Sequence, residues 1–60
     1  MQKNNGLNLI ASKTLQYDFQ LYKTVDFLNK SLKSKNLIFG LKQDEDEETM
    51  TIYIYMEENN

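Results

Sequence analysis

The sequence predicts an α+β fold of order β-α-β-β, a three-stranded sheet with one helix packed on one face. Three patterns predict it. Leu21, Val25, Leu28 and Leu32 recur at spacings of four, three and four, the apolar stripe of an amphipathic helix. Met50, Ile52, Ile54 and Met56 alternate with Thr51, Tyr53 and Tyr55, the period of a half-buried strand. Between them, Leu37 to Lys42 is a short apolar run, too short for a second helix.

The first strand is expected over residues 7–14. Leu7, Leu9, Ala11 and Leu15 share one parity, and Ile10 stands on the other. Gln16 to Asp18 reads as a connection, with Asp18 as helix N-cap, because its carboxylate can accept an orphan backbone N–H. The helix is expected over residues 19–34. Lys30, Lys33 and Lys35 near its end complement the helix dipole. Asn36 is its stop, since Asn tolerates the left-handed conformation.

The second strand is expected over residues 37–42 and the third over 49–56, the two forming a hairpin across the acidic run Asp44 to Glu48. Gly40 marks a bulge or close packing in its strand. The last strand is the most apolar and is placed in the centre, giving the order 1-3-2. The helix is then a right-handed crossover between two parallel strands. Residues 1–60 read as a single small domain. Its ends, Met1 to Asn5 and Glu57 to Asn60, are almost wholly polar and expected to fray.

Composition narrows the function. Sixty residues bury only about 60% of their unfolded surface, so the core is small and a partner subunit is a common support. The chain has no Cys and no His, which excludes a disulfide framework and removes the usual ligands of zinc and copper. It has no Arg, and seven Lys stand against nine Asp and Glu for a net charge of −2. That balance argues against duplex nucleic acid. No stretch approaches the roughly 20 apolar residues of a membrane span, and the polar Met1 to Asn8 holds no signal-peptide run. A cytoplasmic protein with no membrane contact is expected.

No catalytic constellation is present, and no enzyme, cofactor or metal site is expected. The common nucleophilic dyads need His or Cys. Ser12, Ser31 and Ser34 could formally pair with Lys, but Ser31, Lys33 and Ser34 should be exposed, where Lys stays protonated. Gly6 and Gly40 match no phosphate-binding loop. The acidic run lacks the Gly and the ligand spacing of a calcium loop and reads as a hydrated turn. A cation-responsive hairpin through Asp44 and Asp46 is the alternative.

One helix covers one face of a three-stranded sheet. The other face should present Tyr53, Tyr55, Thr51 and Ile38, with Ile10. Such a patch reads either as ordinary solvated surface or as an association site. Outer strands that pair with a second copy are another route to self-association. Phe27 falls off the helical stripe and is read either as packing on the helix-to-strand connection or as contacting a second chain.

The phrase Leu21 to Lys30, followed by Asn36 to Leu41 and by Met50 to Tyr55, resembles the YpmA-like family of short uncharacterised proteins from Gram-positive, spore-forming bacteria. The resemblance spans about residues 9–57. It implies a bacterial, cytoplasmic protein and brings no catalytic signature and no functional residues.

The leading expectation is a non-enzymatic protein-interaction module acting as a homodimer. Its surface is Ile38, Thr51, Tyr53, Tyr55 and Phe27, with the Tyr face buried in the dimer or receiving a protein partner. The alternative is weak single-stranded nucleic-acid binding, with bases stacked on Tyr53 and Tyr55 and Lys42 or Lys13 on phosphate.

Overall fold

The computed structural model describes residues 6–58. Its elements are β1 (Leu7–Gln16), α1 (Gln20–Leu32), a 3-10 turn (Lys33–Lys35), β2 (Leu37–Asp44) and β3 (Thr49–Glu57). The strands form one sheet in the order β1-β3-β2, and both ladders are antiparallel. The most apolar strand thus takes the centre, as its composition predicts. β1 and β2 both oppose β3 and so run parallel to each other, with α1 between them in the chain.

Local chemistry sets the helix ends. The Asp18 carboxylate accepts the Gln20 N–H at 2.9 Å and its carbonyl accepts the Leu21 N–H at 2.9 Å, which closes the first turn at the predicted residue. At the other end the last turn tightens to 3-10. Asn36 then adopts φ 63°, ψ 28° and donates its N–H to the Lys33 carbonyl at 3.1 Å. β1 and β2 each run two residues past their expected ends.

The expected fraying at Glu57 is corrected. Its N–H donates to the Asn36 carbonyl at 2.8 Å, and the Glu58 N–H donates to the Gly6 carbonyl at 3.2 Å, so both are tied to neighbouring chain. Met1 to Asn5 and Asn59 to Asn60 lie outside the described residues.

A bulge at Ile10 changes the expected faces of β1. Leu9 pairs with Tyr55 and Ala11 with Ile54, so Ile10 is the extra residue. A one-residue insertion reverses the side-chain parity beyond it. Leu7 and Leu9 therefore share the face of Tyr53 and Tyr55, while Ala11, Lys13 and Leu15 share that of Ile52 and Met50. The expectation that Leu7, Leu9, Ala11 and Leu15 line one face is corrected, because the bulge puts Leu7 and Leu9 on one face and Ala11 and Leu15 on the other.

The helix also sits off-centre. It packs against β2 rather than across the whole sheet face. Val25 and Phe39 meet this side as buried residues, and Met50 on β3 is 0% exposed. The Met50 sulfur accepts the Asp18 N–H at 3.4 Å, which holds the helix start over the sheet. These three are the only buried apolar residues among those described. Every residue of β1 except Leu15 is exposed. A core of this size supplies little more than the roughly 3–5 kcal/mol typical of such domains.

Candidate functional site

The face away from the helix is built by alternation along β3. Thr51, Tyr53 and Tyr55 project from the central strand, and the register sets Ile38 beside Tyr55, Gly40 beside Tyr53 and Lys42 beside Thr51. From the other side come Leu9 opposite Tyr55, Ser12 opposite Tyr53 and Thr14 opposite Thr51. Of the predicted surface, Ile38, Thr51, Tyr53 and Tyr55 are brought together here.

The two Tyr rings stack on each other, with centroids 6.2 Å apart and planes at 26°. Gly40 lies beside this pair. A Cβ there would meet the Tyr55 Cε2 at 3.6 Å and the Tyr53 Cβ at 3.9 Å, ordinary contact distances, and its ladder holds no bulge, so neither the bulge nor the close packing expected at this glycine is present. Thr14 and Thr51 hydroxyls lie 2.9 Å apart beside the rings. Tyr53 and Tyr55 are half-buried by these neighbours, yet no element lies over them among the described residues.

Phe27 does not join this surface. It projects from α1 and is 64% exposed, so it does not pack on the helix-to-strand connection. Phe19 and Tyr22 form a second exposed aromatic pair on the helix, edge to face at 6.5 Å, with the Lys23 ammonium 6.0 Å from the Phe19 ring. Lys13 pairs with Ile52 and so lies on the face opposite the Tyr rings, which leaves Lys42 as the one predicted phosphate contact that shares their face.

The acidic run forms the hairpin turn at one end of the face. An open depression there is lined by Thr14, Lys42, Asp44 to Glu47, Thr51 and Tyr53. One Asp44 carboxylate oxygen accepts the backbone N–H of Asp46 at 3.1 Å and of Glu47 at 3.3 Å. That carboxylate shapes the turn, and the described residues hold no cluster of three metal-ligating side chains. Glu48 closes the turn at φ 56°, and its carbonyl accepts the Tyr17 N–H at 2.9 Å.

Sequence reasoning missed Asn29. Its side-chain amide donates to the Phe39 carbonyl at 2.9 Å and accepts the Phe39 N–H at 2.7 Å. The amide thus pairs with the outer edge of β2 as a neighbouring strand would. The available signal was a polar residue four after Val25 and three before Leu32, on the apolar stripe itself.

Comparison with known proteins agrees with the sequence resemblance. A family described as a protein of unknown function, DUF4264, matches residues 6–57. The chain is 34% identical over 47 residues to the uncharacterized protein YpmA of Bacillus subtilis (strain 168), covering 78% of this chain and 84% of the relative. No solved structure matches. No helix is long and apolar enough to cross a membrane among the described residues.

Proposed function

The chain belongs to the DUF4264 family of proteins of unknown function, and on that premise we propose that it is a non-enzymatic protein-interaction module acting as a homodimer. Its open sheet face receives a protein partner. The observation that carries this is the stacked Tyr53–Tyr55 pair at the centre of a face with no covering element among the described residues. Aromatics at the centre of an exposed patch are the usual anchors of protein contacts. The dimer is supported by the small core and by the exposed Leu7, Leu9 and Ile10 of β1. The non-enzymatic reading rests on a chain without His or Cys whose Ser31, Lys33 and Ser34 all face solvent.

Light scattering over a dilution series tests the first half: a stable dimer supports it and a strict monomer at millimolar concentration rejects it. The second half predicts that Tyr53→Ser/Tyr55→Ser loses proteins that the wild type captures from a Bacillus lysate, with dimer mass unchanged. Equal capture by both would reject the Tyr face as the contact.

Single-stranded nucleic-acid binding is the second use of the same rings. Lys42 shares their face, but the acidic turn at its end repels phosphate. No retention of random single-stranded RNA on a filter at low salt, where attraction is strongest, would end that reading.

A further inference from the structure

We infer that the homodimer forms edge to edge, with β1 of one copy pairing antiparallel to β1 of the other about a twofold axis at Thr14, so that two sheets become one of six strands. The inference rests on the homodimer proposed above and adds where the second copy sits.

The two outer edges of the sheet differ in whether they are protected. The Glu57 N–H bond to the Asn36 carbonyl fixes the alternation of the β2–β3 ladder, so Leu37, Phe39, Leu41 and Gln43 turn their backbone groups outward. The middle of that edge is occupied, because Asn29 takes both the N–H and the carbonyl of Phe39. The helix lies along the same strand. β2 is therefore a poor template for another chain.

β1 is free. The Tyr17 N–H bond to the Glu48 carbonyl makes Tyr17–Glu48 a hydrogen-bonded pair, and alternation makes Leu15, Lys13 and Ala11 the residues bonded to β3. Ser12, Thr14 and Gln16 then direct their N–H and carbonyl groups away from the sheet. Beyond the bulge, the Glu58 N–H bond to the Gly6 carbonyl does the same for Leu7 and Leu9. Among the described residues no other element packs on β1. Natural sheets shield such edges with charges, proline or a covering element. Here none of the five outward positions is charged, and the strand's single charge is Lys13.

The strand is also its own complement. A twofold at Thr14 sets Thr14 against Thr14, Ser12 against Gln16 and Lys13 against Leu15, with no like charges opposed. It keeps the Ile10 bulge out of the paired segment. It also sets Tyr17 of each copy, 43% exposed, opposite Ala11 of the other, next in the chain to Ile10, 53% exposed, at both ends of the pairing. An axis at Ser12 would instead run the ladder into the bulge. The joined sheets would place two Tyr53–Tyr55 pairs on one continuous face.

Three forms of the full chain test this by sedimentation equilibrium, each checked for native circular dichroism. Thr14→Pro removes the outward N–H while leaving the backbone ladder to β3, at the cost of the exposed Thr14–Thr51 hydroxyl contact, and should weaken the dimer at least about tenfold, from two lost hydrogen bonds across the axis. Thr14→Lys and Thr14→Glu each set like charges opposite one another, and each alone should weaken it about fivefold at low salt. Mixed together, they should re-form a dimer at least as tight as the wild type. Ser31→Lys on the exposed helix face controls for net charge and should change nothing. If Thr14→Pro does not fold, the Lys/Glu pair decides. A dimer indifferent to the Thr14 variants but lost in Tyr53→Ser/Tyr55→Ser would overturn the edge pairing and leave a homodimer of another kind. A wild type that stays monomeric would overturn both.

Discussion

Replacing Asn29 with Ala is the sharpest test of how α1 is held to the sheet. The change removes two hydrogen bonds, of 2.9 and 2.7 Å, to the backbone of Phe39. A protein hydrogen bond contributes about 0.5–1.5 kcal/mol net, and a partly buried group left without a partner adds to the loss. Phe39 is itself buried, so water reaches its backbone poorly from the helix side. The expected loss is about 2–3 kcal/mol, close to the whole stability of a domain this small. With a urea slope near 1 kcal/mol/M, the midpoint should fall by about 2 M. The melting temperature should fall by about 10–20 °C. Ser31→Ala, exposed on the same helix, should stay within about 0.5 kcal/mol. Asn29→Asp keeps an acceptor for the Phe39 N–H but sets an oxygen against its carbonyl, so it should recover little. A loss below about 0.5 kcal/mol in Asn29→Ala would show that the helix is held by its apolar stripe alone.

Met50→Ala should cost about 2–5 kcal/mol, because Met50 is the one fully buried side chain among the described residues, and should abolish the cooperative urea transition. Glu48→Gly should stabilise by about 0.5–1 kcal/mol in the same assay, since it relieves a left-handed residue at φ 56° and loses only part of that gain to glycine's chain entropy. Gly40→Ala should stabilise by up to about 0.5 kcal/mol, as its Cβ would meet the Tyr55 ring at an ordinary 3.6 Å. A destabilised Gly40→Ala would mean that the Tyr pair is packed more tightly than the contact distances show.

The element order, the central place of β3 and both helix ends were legible because each is written in nearest-neighbour chemistry. Asp18, Asn36 and the Leu21–Leu32 stripe act within a turn or two of their own positions. The bulge was not legible. Leu7, Leu9, Ala11 and Leu15 keep one parity in the sequence, and nothing local says that Ile10 is unpaired until β3 lies beside it. The off-centre helix was hidden for the same reason, since a stripe says which side of a helix is covered but not which strand covers it. Asn29 was passed over because a polar residue on an apolar stripe reads as an interruption. Its purpose appears only when Phe39, ten residues on, presents a free backbone edge. For the candidate face, Ile38, Thr51, Tyr53 and Tyr55 followed from period two alone, whereas Leu9 joined them only through the bulge and Lys13 left for the opposite side.

The central position of β3 also orders the events of biosynthesis. Both ladders use β3, so β1 and β2 leave the ribosome before the strand that either of them needs. The β2–β3 hairpin closes a short loop and forms first. β1 then docks across separations that run from 33 residues, Gln16 to Thr49, to 50, Leu7 to Glu57. Throughout that interval β1 is a nascent strand with both edges bare. A growing chain on a crowded polysome thus carries this unshielded strand, with its uncharged Ser12, Thr14 and Gln16, longest before it is paired.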